Sequence, residues 1–419
     1  MFPGWLRWIG LALLTPATTL AFEIVDTLPF PSRGGFPEAY PRDPIYPTLV
    51  WAQVGLLYHS NPFGLPDGAS APAFLGEDQR WDNIARYGLG VIHTQRIVGR
   101  QSVRLHARGE YYDYWTFNEL DHLGYDIGGD WLWEIGNNLS GTIGYERTSG
   151  LSDLREIQAP RRDDVVSDLA YANAAYRFAP NWRLRGGLSA TRSKRDGTRT
   201  NVESTSADAT VGLDYVTGLG NAIGIEVRET RGDAPVTGLI DPTGTLRNKY
   251  DEQEVAAVLV YNLGTQLTFA GRFGHTVRDY DELPVNDFDG PTGRARIDWR
   301  PSVKLSFVVE AARELRPLLD VDTTHVLVKS FTFGPSWAAT MKLIFNMRFL
   351  HEEREYQSTI TPGLPIRDDT LRAISFGAGW EPMRHYTFGF GVEWGERTSN
   401  TIDREYDYAG AMVNFRYDW

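Results

Sequence analysis

Pairs of arginine residues at alternate positions are the feature of this sequence that most clearly could bind a ligand. Arg183 and Arg185 form one such pair, and Arg294 and Arg296 form another. In an extended chain, residues two apart point to the same side, so each pair presents two guanidinium groups together. Guanidinium groups bind carboxylates and hydroxyl groups through forked hydrogen bonds. These residues therefore indicate a surface for an anionic or hydroxylated solute.

The same predicted face also carries carboxylates, and this leaves two interpretations open. Most of the charges are expected to pair across strands and brace the wall. Alternatively, an unpaired remainder forms arginine-rich strips, for which Arg294, Arg296 and Arg300 with Lys304 are the best candidates, because only Asp298 and Glu310 lie among them. The full set of predicted pore-lining residues is Arg104, Arg108, Arg183, Arg185, Arg272, Arg294, Arg296, Arg300, Lys304, Lys342 and Arg348.

Catalytic chemistry has little support in the sequence. It contains neither a phosphate-binding glycine loop, nor a paired-histidine helix motif, nor a serine elbow with the required flanks. The eight histidines are scattered, and those in predicted strands, such as His106, fit a wall residue better than a metal ligand. The absence of cysteine removes disulfides, thiolate metal sites and cysteine nucleophiles. We predict no enzyme, no metal and no cofactor; a hydrolase with serine and histidine on the rim is the enzymatic alternative.

The strands that would position these charges have their clearest sequence pattern at the C-terminus. Ala409 to Trp419 alternates apolar and polar residues and ends on an aromatic side chain, as the last strand of an outer-membrane barrel does. An edge strand of a soluble β-sandwich is the alternative. The predicted signal for the barrel-insertion machinery consists of Val413, Phe415, Tyr417 and Trp419.

Similar alternating segments of roughly 9 to 13 residues recur from Thr48 onward. Short connections that contain glycine, asparagine or proline, including Arg300 to Ser302 and Gly334 to Ser336, alternate with longer polar ones. This pattern predicts an all-β fold: a transmembrane antiparallel outer-membrane β-barrel over residues 48–419, with about 18 strands and 16 as the alternative count. An even count places both termini in the periplasm.

The N-terminal residues are typical of export. Residues 1–21 contain a short apolar stretch followed by small residues, which predicts a signal peptide rather than a membrane anchor. Residues 22–47 are rich in proline and lack periodicity, so we expect an extended periplasmic segment. A plug inside the lumen is the alternative for this segment.

The net charge of -12 comes largely from predicted loops, such as Asp279 to Asp289. Acidic loops at the outer surface favour solubility and bridging to lipopolysaccharide through divalent cations, and a specific calcium site is the alternative. The acidic balance disfavours nucleic acid as a partner.

One set of segments is distinctive and comprises Val54 to Asp67, Asp82 to Ile84, Arg96 to Gln101, Tyr111 to Asp113, Leu120 with Asp121, and Trp131 to Trp133. Together these segments resemble the EpsL-like β-barrel porins of exopolysaccharide-biosynthesis operons, which are associated with exosortase systems. Pro62 and Gly64 depart from that family's pattern, which tends to have an apolar residue and an arginine there. The resemblance implies a part in moving or assembling extracellular polysaccharide at the outer membrane.

The combined prediction is a bacterial outer-membrane barrel that exports or helps assemble extracellular polysaccharide through a charge-lined lumen. The expected partners are outer-membrane lipid and lipopolysaccharide, the insertion machinery, the polysaccharide and periplasmic export components. A general or solute-specific diffusion porin is the first alternative, and a non-conducting, polysaccharide-binding surface barrel is the second. An open, charged lumen would favour transport, whereas inward-folded loops that block it would favour anchoring.

Overall fold

The computed structural model describes residues 47–71, 75–158, 160–197, 201–233, 249–282, 284–317, 325–356 and 366–419. The predicted signal peptide, 1–21, and all of the predicted lead-in, 22–47, except Pro47 lie outside these ranges, so both stay predictions. Among the described residues, no helix is long and apolar enough to cross a lipid bilayer.

Eighteen strands form one closed antiparallel sheet, in which each strand pairs with its neighbours in the chain. The predicted outer-membrane barrel fold and its strand count are confirmed. The strands are β1 Thr48–His59, β2 Asp82–Arg96, β3 Ser102–Tyr114, β4 His122–Ile135, β5 Leu139–Leu151, β6 Asp163–Ala179, β7 Trp182–Gly197, β8 Asn201–Val216, β9 Ala222–Asp233, β10 Lys249–Leu263, β11 Leu267–Tyr280, β12 Phe288–Trp299, β13 Leu305–Pro317, β14 His325–Ala338, β15 Leu343–Tyr356, β16 Asp368–Met383, β17 Tyr386–Ser399 and β18 Tyr406–Asp418.

The first and last strands close the barrel. They pair antiparallel from Trp51 opposite Asp418 to His59 opposite Gly410. Because lipid cannot hydrogen-bond to a free sheet edge, this pairing satisfies the backbone groups that β1 and β18 would otherwise leave open. It also places the start of β1 and the end of β18 at the same rim, where the short turns lie.

The two faces of the sheet differ as the alternation predicts. Leu188 and Ile225 point outward and are 64% and 63% exposed, whereas the inward-facing Asp214 and Glu254 are each 1% exposed. An apolar outer face with a polar inner face is the pattern of a barrel that meets lipid outside and water inside.

Aromatic side chains form a belt on the outer face near the short turns. Trp182 packs edge-on against Tyr215, with ring centroids 5.4 Å apart. Such belts mark the membrane interface, where an aromatic ring meets both lipid and headgroups. Further pairs in this belt are Trp299 with Phe307, Trp337 with Phe345, and Trp380 with Phe388.

One predicted turn is wrong. Gly334 to Ser336 lies inside β14, where Pro335 pairs with Phe307 of β13, and the chain turns after Ala338 instead. The pairing of β14 with β15 skips Gly334 and Pro335, because proline has no N–H to donate to a neighbouring strand. The glycine and proline therefore interrupt one ladder within a strand rather than end the strand.

The longer connections carry short helical pieces. A four-residue α-helix, α1, spans Leu154–Ile157 between β5 and β6. Single 3-10 turns lie at Asn118–Leu120, Pro284–Asn286 and Ile402–Arg404. All four lie at the rim opposite the short turns, which we call the long-connection rim.

Deleting Phe415 to Trp419 should prevent stable closure, because β1 would lose its partners from Trp51 to Val54 and keep an open edge in lipid. Full-length protein should migrate faster on gels before boiling than after, and the truncated protein should not. Normal heat-dependent migration of the truncated protein would contradict this role of β18.

Replacing Leu188 by Arg should destabilise the barrel by about 2–4 kcal/mol, because a charge near the bilayer midplane on the lipid face is costly. The matched control is Ser189→Arg, one position further along β7, where the side chain faces inward beside Asp208. This control should leave stability nearly unchanged in urea unfolding from lipid vesicles. Equal losses for the two variants would mean that the assigned facing of β7 is wrong.

Candidate functional site

A continuous ion-pair network follows the inner wall across β7 to β11. Near the short turns, Asp214 accepts hydrogen bonds from Arg183 and Arg185, at 2.6 and 2.7 Å. Arg185 also pairs with Glu226 at 2.7 Å, and Glu226 pairs with Arg272 at 3.1 Å. The arginine pairs predicted to share a face do share one, because residues two apart on a strand point the same way.

The network continues towards the long-connection rim. Arg272 pairs with Glu254 at 2.8 Å, and Glu254 pairs with Arg228 at 2.7 Å. Glu252 then joins Arg228 to Arg278, at 3.1 and 2.5 Å. Glu252 and Glu254 are functional residues that the sequence analysis does not identify, although their alternate positions on β10 place both on one face. We call this set, from Arg183 to Arg278, the β7–β11 network.

The proposed arginine strip on β12 is not free of partners. Arg294 pairs with Glu314 at 2.8 Å and approaches Glu310 at 3.7 Å. Arg296 pairs with Asp298 at 2.9 Å and approaches Glu310 at 3.6 Å. The expectation that only Asp298 and Glu310 lie among these arginines is therefore wrong, because Glu314 of β13 also pairs with Arg294.

Three of the predicted pore-lining residues lie outside the strands. Arg300 and Lys304 belong to the turn between β12 and β13, and Lys342 lies in the turn between β14 and β15. The predicted position of Lys304 on a strand is wrong, since β13 begins at Leu305. These side chains sit at the rim of the barrel instead of on its wall.

The remaining candidates lie on inward-facing positions of strands. Arg104 pairs with Asp130 at 2.5 Å, and Arg108 lies 4.0 Å from Glu110 on β3. Arg348 lies on β15, opposite Ser375 of β16. Whether any of these residues contacts a passing solute stays a prediction.

One group on the wall has the composition of a metal site. Single ligand atoms of His106, Asp126 and Glu146 lie within 4.8 Å of one another. His106 Nε2 already lies 3.1 Å from Asp126 Oδ1, so a hydrogen bond between neighbouring strands accounts for two of the three residues. This agrees with the interpretation of His106 as a wall residue, and the group carries no assignment as a metal centre.

Connections at the long-connection rim fold against one another. Phe63 and Leu65, between β1 and β2, are fully buried. The Phe63 ring packs edge-on against Phe117, with centroids 4.7 Å apart. Leu120 and Leu154 belong to the same apolar cluster. Three connections therefore share one small core at this rim.

Gly64 lets the first connection touch the α1 connection. Its φ of +58° lies in the left-handed region, and a Cβ there would lie 2.8 Å from Tyr406 and 3.1 Å from Cβ of Arg155. Gln158 donates hydrogen bonds to the carbonyl oxygens of Gly64 and Asp403, at 2.9 and 2.8 Å. Any larger residue at position 64 would therefore require Tyr406 to shift.

Glu156 of α1 extends into a cluster of arginines from the last four strands and their connections. Its carboxylate lies 2.7 Å from Arg397, 3.2 Å from Arg367 and 3.4 Å from Arg354. Burial raises the pKa of the Glu156 carboxyl, but Arg397, Arg354 and Arg404 outweigh it and hold the pKa below its ordinary value. Glu156 is therefore ionised at neutral pH.

The α1 connection carries a sequence signal for this helix. Asp153 caps α1 by accepting a hydrogen bond from the backbone N–H of Arg155, and Glu156 follows three residues after the cap. An acidic or hydroxyl residue followed three positions later by glutamate is the capping-box pattern. That signal predicts a helix start, but not the arginines that Glu156 contacts.

The described fold is similar to solved outer-membrane structures. A BenF-like porin from Pseudomonas fluorescens Pf-5 is 10% identical, with 89% of this chain and 99% of that chain covered and a TM-score of 0.50. OpdK from Pseudomonas aeruginosa is 11% identical over the same shares, with a TM-score of 0.48. The ferric-catecholate import receptor Fiu from E. coli K12 is 10% identical, with 89% and 81% covered and a TM-score of 0.45.

These identities are too low to establish more than the fold. No protein-family model matches the sequence, and no curated protein matches it. The resemblance to EpsL-like porins is therefore not confirmed.

Replacing Glu226 by Gln should destabilise the barrel by about 1–3 kcal/mol, because Arg185 and Arg272 would lose a shared, buried charged partner. The control is Glu229→Gln on the same strand, where the side chain is 49% exposed and pairs with Arg231. This control should change stability by less than about 0.5 kcal/mol. Urea unfolding monitored by tryptophan fluorescence measures both, and equal effects would contradict the structural role of the network.

Proposed function

We propose that the protein is an outer-membrane diffusion channel for small polar solutes, with the arginines of its inner wall favouring anionic or hydroxylated ones. The observation that carries this proposal is the partial exposure of inward-facing charges: the side chains of Arg183, Arg228 and Arg296 are 31%, 32% and 46% exposed. A solid, packed barrel interior would cover these groups. Their exposure supports a lumen that holds water along much of its wall.

Ion pairing shapes the kind of channel that is proposed. Each carboxylate of the β7–β11 network pairs with two arginines. The wall therefore presents guanidinium N–H groups as hydrogen-bond donors, while the carboxylates keep its net charge small. Solutes can then be held at several weak sites and still leave, which conduction requires. The barrel fold shared with the BenF-like porin is compatible with this proposal.

The packed connections favour a small solute over a polymer. Phe63, Leu65, Phe117 and Leu120 are fully buried in their shared core, so protein occupies part of the long-connection rim. Polysaccharide export is implied only by the resemblance to EpsL-like porins. We infer further that the short turns and both termini face the periplasm, as is usual for outer-membrane barrels.

The lack of native cysteine allows a direct test of the channel. Ser189→Cys would place the only thiol on the inner wall, beside Asp208, whereas Leu188→Cys would place it on the lipid face. In planar bilayers, both variants should conduct potassium chloride. A negatively charged methanethiosulfonate reagent should lower the current through the Ser189→Cys variant and leave the Leu188→Cys variant unchanged.

A deletion strain separates the channel from polysaccharide export. We expect slower uptake of small sugar acids and normal secretion of extracellular polysaccharide in that strain. If the purified protein does not conduct, and secretion is lost on deletion and restored by the wild-type gene, export replaces the diffusion channel as the function.

A further inference from the structure

The arginine cluster around Glu156 is assembled from four separate parts of the chain. Arg354 lies on β15 and Arg397 on β17, whereas Arg367 and Arg404 lie in the connections after them. Glu156 reaches them from the α1 connection, which belongs to the first half of the barrel. The Glu156 carboxylate thus comes from a segment distant in the sequence and enters a site that the last strands and their connections form.

The wall of this cluster also supplies carboxylates. Asp369 bonds to Arg397 and lies 2.8 Å from Arg367, and Glu352 bonds to Arg354 at 2.6 Å. Glu352 also pairs with Arg316 of β13, at 2.9 Å. Glu156 is therefore the carboxylate of this cluster that comes from the first half of the barrel, whereas Asp369 and Glu352 belong to the last strands.

Burial makes the loss of the Glu156 carboxylate costly. The side chains of Arg397 and Arg354 are 2% and 8% exposed, and that of Arg367 is 12% exposed. Buried guanidinium groups need an anionic partner, because removing one member of such a set leaves a desolvated charge. A carboxylate from α1 meets this need, and so would a carboxylate from outside.

We propose that these four arginines are a binding site for the carboxylate of a solute, and that Glu156 occupies the site until such a solute replaces it. This inference rests on the proposed channel function, and it names the solute class as small carboxylates. Exchange of one carboxylate for another keeps the hydrogen bonds to Arg397, Arg367 and Arg354, so neither state exposes bare buried charges.

Replacement of Glu156 would also move α1. Apart from Glu156, the described polar contacts that join this connection to the opposite wall include Gln158 with Asp403 and the Arg404 side chain with the Glu156 carbonyl, at 2.8 and 2.9 Å. A bound carboxylate would remove the strongest of the contacts that hold α1 over β17 and β18. The passage at the long-connection rim would then widen where the solute enters.

D-glucuronate is the probe, and D-glucose is its uncharged counterpart. In single-channel recordings, glucuronate should cause brief current blocks, and Glu156→Gln should bind it at least about tenfold more tightly, equivalent to removing a competitor worth about 1.4 kcal/mol. Glu119→Gln, which removes an exposed charge from another connection, should behave like the wild type. Adding Arg404→Gln to Glu156→Gln should weaken the blocks again, and glucose should cause none in any variant.

Limited proteolysis gives a second readout that does not depend on current. Arg155 is buried, so trypsin should cut after it slowly in the wild type, and glucuronate but not glucose should speed that cleavage. If all variants conduct potassium chloride, yet glucuronate affinity and Arg155 cleavage are the same in the wild type and Glu156→Gln, the carboxylate site is wrong. If no variant conducts, the channel function itself is wrong.

Discussion

Every strand of this protein must have two hydrogen-bonded neighbours, because lipid offers no partner for a free backbone N–H or carbonyl. The pairing of β1 with β18 meets that requirement and turns a meander into a closed ring. Closure then creates an enclosed inner face, on which charged side chains are partly removed from water and must find partners. The ion pairs of the wall are thus a consequence of closure, and the same closure brings β5 and β17 near enough for α1 to reach across.

Much of the fold could be predicted because a lipid-facing strand has a strict local rule. Outward positions must be apolar, so alternation marks each strand, and aromatic residues such as Trp182 mark its end at the interface. Prediction from this rule fails where a residue type is compatible with two different local structures. Gly334 and Pro335 are typical of a turn, yet here they interrupt one ladder inside β14, and nothing within the local sequence distinguishes these roles.

The candidate site was less predictable, since its contacts depend on register and on distant residues. The inward direction of Arg294 and Arg296 follows from alternation, but the pairing of Arg294 with Glu314 depends on how β12 and β13 align. Lys304 lies in a turn although the pattern predicts a wall position, because a strand end cannot be located to within a few residues from pattern alone. The arginines around Glu156 have no local signal, because a cluster drawn from four segments exists only after folding.

The contact between Glu156 and Arg397 joins residues 241 positions apart in the chain. Until β15 and β17 join the sheet, their arginines cannot contact Glu156, and the carboxylate of Glu156 has only water as a partner on that side. Long-range contacts of this kind form late, because the intervening chain must be ordered first. The burial of α1 is consequently a marker of complete assembly. This segment is exposed to solvent in a barrel that lacks its last strands, and it is covered once those strands are in place.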